Sequence, residues 1–368
     1  MKLTEPYVSN QEVRAVKRVL KSGSLTQGAV SRSFEKEISN FVGSRYTYVT
    51  SSATTGLHLA LDALGIGRGD EVIIPDFSFP ATANAVIKIG ATPVCVDINL
   101  DSYCMDPGDV ENHITPRTRA IMPVHAFGLC ADMPNLLDIA RRFELKVIED
   151  AACAIGSTIN AKYAGTFGDC GVFSFHPRKL ITTGEGGAIV TDDVRLSERI
   201  SILRSHGGVR GKHFLEFVDS GYNFRLSDIN AAVGVVQMGK LQEIIDKRTK
   251  LAGIYDHILS HIEGISLPKA PLGYRHTYQS YVILLDDAFN RDHVIQEMSL
   301  AGIETTLGTY SISAQPYFKK FSSKPSLTVP NSIRAFSQSL TLPLFPSMSE
   351  KNIRYVTRTL RSVLERLG

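Results

Sequence analysis

Apolar residues recur every three or four positions between about Asn10 and Lys21. Val13, Val16, Val19 and Leu20 fall on one face, which predicts a helix closed by Gly23. A second helix is expected from Ser31 to Phe41. Two kinds of segment then alternate. Short apolar runs at Tyr46 to Thr50, Glu71 to Pro75, Thr92 to Val96, Arg119 to Pro123, Lys146 to Asp150, Cys170 to Phe175 and Gly187 to Thr191 read as strands. Helical periods at Thr54 to Leu64, Ala81 to Lys88 and Met133 to Arg142 lie between them. Strands separated by helices of this length predict α/β units around a largely parallel sheet.

Beyond that region the pattern changes. One long helical stretch runs from about Asp228 to Leu259, with Val233, Val236, Leu241, Ile244 and Ile245 apolar. It is expected to lead into a smaller unit with a strand at Gln279 to Leu285 and helices at Arg291 to Ala301 and Ser349 to Leu367. The expected division is a large α/β domain over residues 1–245 and a small C-terminal α+β domain over 246–368.

Composition narrows the function classes. The chain has 368 residues, ordinary apolar and charged fractions, and a net charge of +3. That balance gives no reason to expect nucleic acid or an anionic membrane as partner. The five cysteines show no metal-ligand or redox spacing, so reduced thiols and no metal are expected. The first residues lack the apolar run of a signal peptide, and no segment approaches a membrane span. A cytoplasmic protein is expected.

Lys179 is the residue that suggests chemistry. It stands in Ser174-Phe175-His176-Pro177-Arg178-Lys179, between a strand and a turn carrying Gly184, Gly186 and Gly187. A lysine amine held near a carbonyl compound can form a Schiff base, the entry step of pyridoxal phosphate chemistry. The other needs of that cofactor can be sought in turn. In Lys146-Val147-Ile148-Glu149-Asp150-Ala151-Ala152, two carboxylates stand where a buried strand ends. Ligands of α/β sheets gather at such ends. Asp150 is the candidate partner of a pyridine nitrogen, whereas Glu149 alone would read as a helix cap or a surface charge. Ser51-Ser52-Ala53-Thr54-Thr55-Gly56 joins a strand to a helix and suits a phosphate, although it equally suits an ordinary N-cap. Ser174 offers a second hydroxyl at the same edge. Phe77 and Phe79 both follow a strand, and spacing alone does not choose the one that stacks on the ring.

Together these segments resemble the DegT/DnrJ/EryC1/StrS family of sugar aminotransferases, and the likeness covers essentially the whole chain. Further matches are Ser24-Leu25-Thr26-Gln27-Gly28, Gly69-Asp70-Glu71-Val72-Ile73, Leu203-Arg204-Ser205-His206-Gly207, Gly221-Tyr222-Asn223-Phe224-Arg225-Leu226-Ser227-Asp228 and Leu342-Pro343. The resemblance implies an aspartate-aminotransferase-like fold (fold type I of the pyridoxal phosphate enzymes). Its large domain would hold a mainly parallel seven-stranded mixed sheet. It also implies a homodimer with shared active sites. Carried over residue by residue, Lys179 is the Schiff-base lysine and general acid/base, Asp150 the ring-nitrogen partner and Phe79 the stacking aromatic. Ala53, Thr54 and Ser174 form the phosphate cradle. Asn223 and Arg225 reach the phosphate region from the second subunit. Where the family usually carries glutamine or histidine near the cofactor's phenolic oxygen, this chain has Cys153, a weaker hydrogen-bond donor. Where many members carry a histidine-tyrosine-proline segment near the sugar, it has Gly308-Thr309-Tyr310-Ser311-Ile312-Ser313-Ala314-Gln315-Pro316.

The implied reaction moves the amino group of L-glutamate through pyridoxamine phosphate to a nucleotide-linked keto-hexose. A 4-keto-6-deoxy sugar is the first expectation and a 3-keto sugar the second. A diphosphate calls for cations, and Arg204, Arg210, Lys212 and His213 are the candidates. Thr26 and Tyr310 are further candidate substrate contacts. The Gly207 to Lys212 stretch does not fit a nucleotide phosphate loop, because no serine or threonine follows the lysine. The rival within the fold is a pyridoxamine-phosphate-dependent sugar dehydratase. Such relatives carry histidine at the lysine position, so Lys179 argues for amine transfer. A regulator without turnover would have no need of Lys179, Asp150, Ser174 and Thr54 together.

Overall fold

The computed structural model describes residues 1–321 and 328–367. Seven strands form its central sheet: β1 (Tyr46–Thr50), β2 (Glu71–Pro75), β3 (Thr92–Val96), β4 (Thr118–Ile121), β5 (Lys146–Asp150), β6 (Cys170–Ser174) and β7 (Gly187–Thr191). Their order across the sheet is β1-β7-β6-β5-β4-β2-β3. The contacts β3-β2-β4-β5-β6 are all parallel, and β7 runs antiparallel to both of its neighbours. The sheet is therefore the expected mixed one. The reversal has a local cause. Parallel neighbours need a long crossover, usually a helix. The connection from Ser174 to Gly187 contains no helix, so the chain returns directly, and it is this loop that carries Lys179.

Strands β2, β6 and β7 are buried along their whole length, because helices cover both faces of the sheet. Alternate residues of β5 enter different cores. Val147 packs with the helix Met133–Arg142, whereas Ile148 packs with the helices Ala53–Ala63 and Ala81–Lys88. Glu149 shares the face of Val147. It is a fully buried carboxylate, so neither a helix cap nor a surface charge describes it. It accepts hydrogen bonds from the backbone N–H groups of Gly165 (2.7 Å), Phe167 (2.6 Å) and Gly168 (2.7 Å), and from His125 Nε2 (2.8 Å). His125 Nδ1 accepts from Ala131 N–H, which fixes the tautomer with the proton on Nε2.

Two sequence expectations need correction. The long stretch from Asp228 to Leu259 is two helices, Asp228–Met238 and Leu241–Leu259, separated at Gly239 and Lys240. The first helix, Asn10–Ser22, buries Glu12, Ala15 and Val19 and leaves Val13 and Leu20 exposed. Glu12 is drawn inward by partners that no apolar period reveals: Gln237 Nε2 at 2.6 Å and the Lys240 ammonium. Burial opposes its ionisation, but Lys240, Gln237 and Ser9 outweigh that and lower its pKa to about 2.

A second apolar cluster surrounds the antiparallel sheet of β8 (Ile265–Ser266), β9 (Tyr281–Leu285) and β10 (Ser339–Leu342). The helices Arg291–Leu300 and Glu350–Leu367 cover it. The helix Leu241–Leu259 belongs to both cores. Leu241, Ile244 and Ile245 pack into the first, while Leu251, Ala252, Tyr255 and Leu259 pack into the second.

Replacing Glu149 with glutamine puts an amide NH₂ where four donors converge, leaving at least one of them unpaired. Glu149→Gln is expected to lose roughly 2–4 kcal/mol, read as a lower midpoint in urea denaturation. An unchanged midpoint would contradict this role.

Candidate active site

Four separate segments meet at the carboxyl edge of the central sheet. Register places Ser174 opposite Gly187 and Gly187 opposite Thr50, so the ends of β6 and β1 flank the start of β7. The chain leaves β1 directly into the helix Ala53–Ala63, whose N-terminus rests on Gly187. A Cβ at Gly187 would lie 2.5 Å from the Ala53 nitrogen, so only glycine lets the helix end approach this closely. Ser52 Oγ accepts from Thr55 N–H at 3.1 Å, and Ser52 C=O accepts from Gly56 N–H. The amides of Ala53 and Thr54 have no protein acceptor among the described residues. Ser52 is the N-cap, and the next two amides are left open at the helix N-terminus, where an anion is favoured.

Asp150 ends β5 and is buried. Its carboxylate accepts from Thr82 Oγ1 (2.8 Å) and Ala152 N–H (3.2 Å). Burial pushes its pKa up, and Thr82, Ala152, Lys179 and His125 counter that only in part. An ionised carboxylate here is short of a cationic partner, and a protonated pyridine nitrogen would supply one. Thr82 sits in the first turn of Ala81–Lys88, just past Phe79, and sequence reasoning did not assign it a role. The structure also separates the two phenylalanines. Phe77 lies in the core, whereas Phe79 is 64% exposed beside the site, an expensive position for an aromatic ring that has nothing to cover it.

The Lys179 amine donates to Cys153 Sγ at 2.9 Å, and both side chains are half-buried. Cys153 follows Asp150 through a turn in which Ala154 N–H bonds back to Ala151 C=O. The thiol therefore stands next to the lysine nitrogen at the end of β5. A primary amine, a buried carboxylate, an exposed aromatic ring and an open helix end on one sheet edge fit pyridoxal phosphate: the amine for its aldehyde, the carboxylate for its ring nitrogen, the ring for stacking and the helix end for its phosphate.

The remaining candidates divide. Tyr310 is brought in, with its ring centroid 6.4 Å from that of Phe79. The segment of Asn223 and Arg225 runs along the end of β1, where Ser51 N–H donates to Phe224 C=O and Arg225 Nε donates to Asn223 Oδ1. Arg210, Lys212 and His213 lie on an exposed hairpin of Gly208–Arg210 and Leu215–Phe217. Thr26 is exposed, and its carbonyl accepts from Asp228 N–H. Arg204 is no diphosphate ligand, because it is buried, paired with Glu35 at 2.6 Å, bonded to Val49 C=O and stacked over Tyr48.

Known proteins share this fold and much of this sequence. The model of the DegT/DnrJ/EryC1/StrS aminotransferase family matches residues 6–361. The spore coat polysaccharide biosynthesis protein SpsC of Bacillus subtilis is 34% identical, with 98% of this chain and 96% of SpsC covered. Among solved structures, PseC of Helicobacter pylori, an aminotransferase of pseudoaminic acid biosynthesis, is 28% identical. It superposes with a TM-score of 0.94 over 99% of both chains. Spr1654 of Streptococcus pneumoniae, a candidate sugar aminotransferase, is 26% identical, with a TM-score of 0.95 and all of both chains covered, and has been solved in pyridoxal phosphate and pyridoxamine phosphate forms. With a match of this length and an edge built for that cofactor, the chain belongs to the DegT/DnrJ/EryC1/StrS family and is a pyridoxal-phosphate-dependent sugar aminotransferase.

Proposed function

We propose that this enzyme transfers the amino group of L-glutamate to the keto carbon of a nucleotide-linked hexose, with a 4-keto-6-deoxy sugar as the preferred acceptor. The observation that carries this reading is the conjunction of Lys179, Asp150 and the exposed Phe79 at one sheet edge. The product is an amino sugar for a surface polysaccharide or a secondary metabolite, a reading supported by what SpsC and PseC are named for. We place the work in the cytoplasm, where the five unpaired cysteines would stay reduced.

When bound, pyridoxal phosphate supplies an electron sink that lets an amino-bearing carbon give up a proton. Asp150 would hold the ring nitrogen in its protonated form. Phe79 would cover the ring, the amides of Ala53 and Thr54 with the Ser174 hydroxyl would hold the phosphate, and Cys153 stands beside the Lys179 nitrogen. Lys179 Nζ takes the proton from the α-carbon of glutamate. In the second stage it delivers a proton to the sugar carbon that arrived as the ketone.

Two features support a homodimer that shares its sites. Phe214, Leu215, Phe217 and Val218 stand exposed on the hairpin that also bears Arg210, Lys212 and His213. A hollow of about 790 Å³ opens beside Thr54, lined by His58, Tyr222, Phe224 and Tyr317. A second copy covering these surfaces would close the phosphate side and bring Asn223 and Arg225 to the neighbouring site.

A panel of nucleotide-linked 3-keto and 4-keto sugars with glutamate tests the substrate assignment. Turnover confined to 3-keto sugars, or none with any member, would overturn it. Lys179→Ala should abolish the yellow colour that bleaches with glutamate and lower turnover by roughly 10²–10⁴-fold or more. Persistence of that colour would remove Lys179 from its role.

Asp150 gives a pH prediction. A carboxylate whose folded pKa lies above its unfolded one weakens the empty protein as pH rises through that folded value, and the penalty is absent below the ordinary carboxylate range. Asp150→Asn should therefore melt higher than the cofactor-free wild type at neutral pH, with the difference vanishing on acidification, while turnover collapses. Thermal melts of both apo-proteins across pH check the sign.

A further inference from the structure

Asp76 is a fully buried carboxylate at the end of β2, and no part of the reaction described above uses it. It forms no ion pair among the described residues. A buried carboxylate is costly unless its lone pairs are taken up, so the identity of its donors is informative. The donors come from more than 230 positions further along the chain. Ser311 Oγ donates at 2.6 Å, Ser313 N–H at 2.7 Å, and Ser332 Oγ makes a third bond. Ile312 N–H adds a bond to the Asp76 carbonyl at 2.7 Å. Ser311 and Ser332 are themselves fully buried. The carboxylate thus gathers two distant segments, with the Cys95 thiol on the neighbouring strand beside it.

What it gathers bears on the site. Residues Tyr310–Ser311 pair antiparallel with Phe77–Ser78, with Tyr310 opposite Ser78. On one side of this ladder, Ser78 Oγ bonds Thr82 Oγ1 at 2.8 Å, and Thr82 donates to Asp150. On the other, the Tyr310 ring lies 6.4 Å from Phe79 and 6.1 Å from Phe336. A ladder of two residues is too short to hold a segment alone. The clamp at Asp76 supplies the rest. Asp97 separately accepts from the N–H groups of Asn331 and Ser332 at the start of the helix Pro330–Gln338, so that helix stays anchored without Asp76.

We propose that Asp76 is a positioning residue for the sugar half-reaction, fixing Tyr310 beside Phe79 as part of the wall that the sugar meets. The inference rests on the transaminase reading above. Lys179, Asp150, Ser174 and the Ala53 amides lie on other strands or their following segments, and the turn carrying Phe79 and Thr82 keeps its own bonds, Thr82 N–H to Phe79 C=O and Asn84 N–H to Pro80 C=O, so loss of the clamp should spare the glutamate half-reaction. The sugar would instead meet a loosened wall, and a misplacement near 1 Å can cost roughly 10²-fold.

The test uses the holoenzyme and takes the half-reactions separately. For Asp76→Ala, bleaching of the cofactor by glutamate should stay within about twofold of wild type. Recovery of colour with a UDP- or dTDP-linked 4-keto-6-deoxyhexose should lose roughly 10–100-fold in kcat/KM. Equal losses in both stages, or none in either, overturn the proposal. The chain has no tryptophan, so Tyr310→Trp introduces a single emitter next to the cofactor. Adding Asp76→Ala to it should relieve quenching by the bound cofactor, and unchanged emission also overturns the proposal. If Asp76→Ala fails to fold, Ser311→Ala removes one clamp bond and is judged by the same readouts. If wild type bleaches with glutamate and no keto sugar restores the colour, the substrate reading fails, while the emission experiment still decides the positioning.

Discussion

Two consecutive carboxylates at the end of β5 point to opposite faces of the sheet, and much of the site depends on that alternation. Glu149 turns toward the core and takes three backbone amides and His125. Asp150 turns to the reactive side and takes only Thr82 and Ala152. One is saturated with donors, and the other is left wanting a cation. Fixing the first fixes the second, because a one-residue slip of β5 would exchange their places. Parallel neighbours on both sides of β5 oppose that slip.

The same device recurs along the sheet edge. Asp76 after β2 and Asp97 after β3 accept bonds from segments of the second half of the chain. These acids need no cations because hydroxyl and amide donors take up their lone pairs. A carboxylate just past a strand end is well placed for this, since there it no longer faces ladder partners of its own. Function follows from which of these acids is left incompletely satisfied, and in the described chain that is Asp150.

How much of this the sequence reveals depends on what restricts each residue. Lys179 and Asp150 are legible because few side chains can do their chemistry, and both follow strands whose apolar runs stand out. Gly187 is legible as a glycine in a rich turn, although its cause, the Ala53 backbone pressed against it, is not. Glu149 is open to misreading because a buried acid looks like any other acid in one dimension. Glu12 misleads in the same way: its partners, Gln237 and Lys240, are more than 220 positions away. The break at Gly239 is hidden because the apolar period continues across it. Short pairings such as Tyr310–Ser311 with Phe77–Ser78 leave no periodic trace at all.

This difference explains why the cofactor end of the site is easier to read than the sugar end. Pyridoxal phosphate presents a charged phosphate, a basic ring nitrogen and an aldehyde, and each restricts the residue opposite it to a few chemical types. A sugar presents hydroxyls and a ketone, which serine, threonine, tyrosine or bare backbone can meet equally well. Its recognition therefore depends on where a segment is held more than on what the segment contains. In this chain the holding is done by serines on a buried acid, residues that would pass for ordinary loop polarity in the sequence. The specificity of such an enzyme can then change through anchoring positions like Ser311 while Lys179, Asp150 and the glycine under the helix Ala53–Ala63 stay as they are.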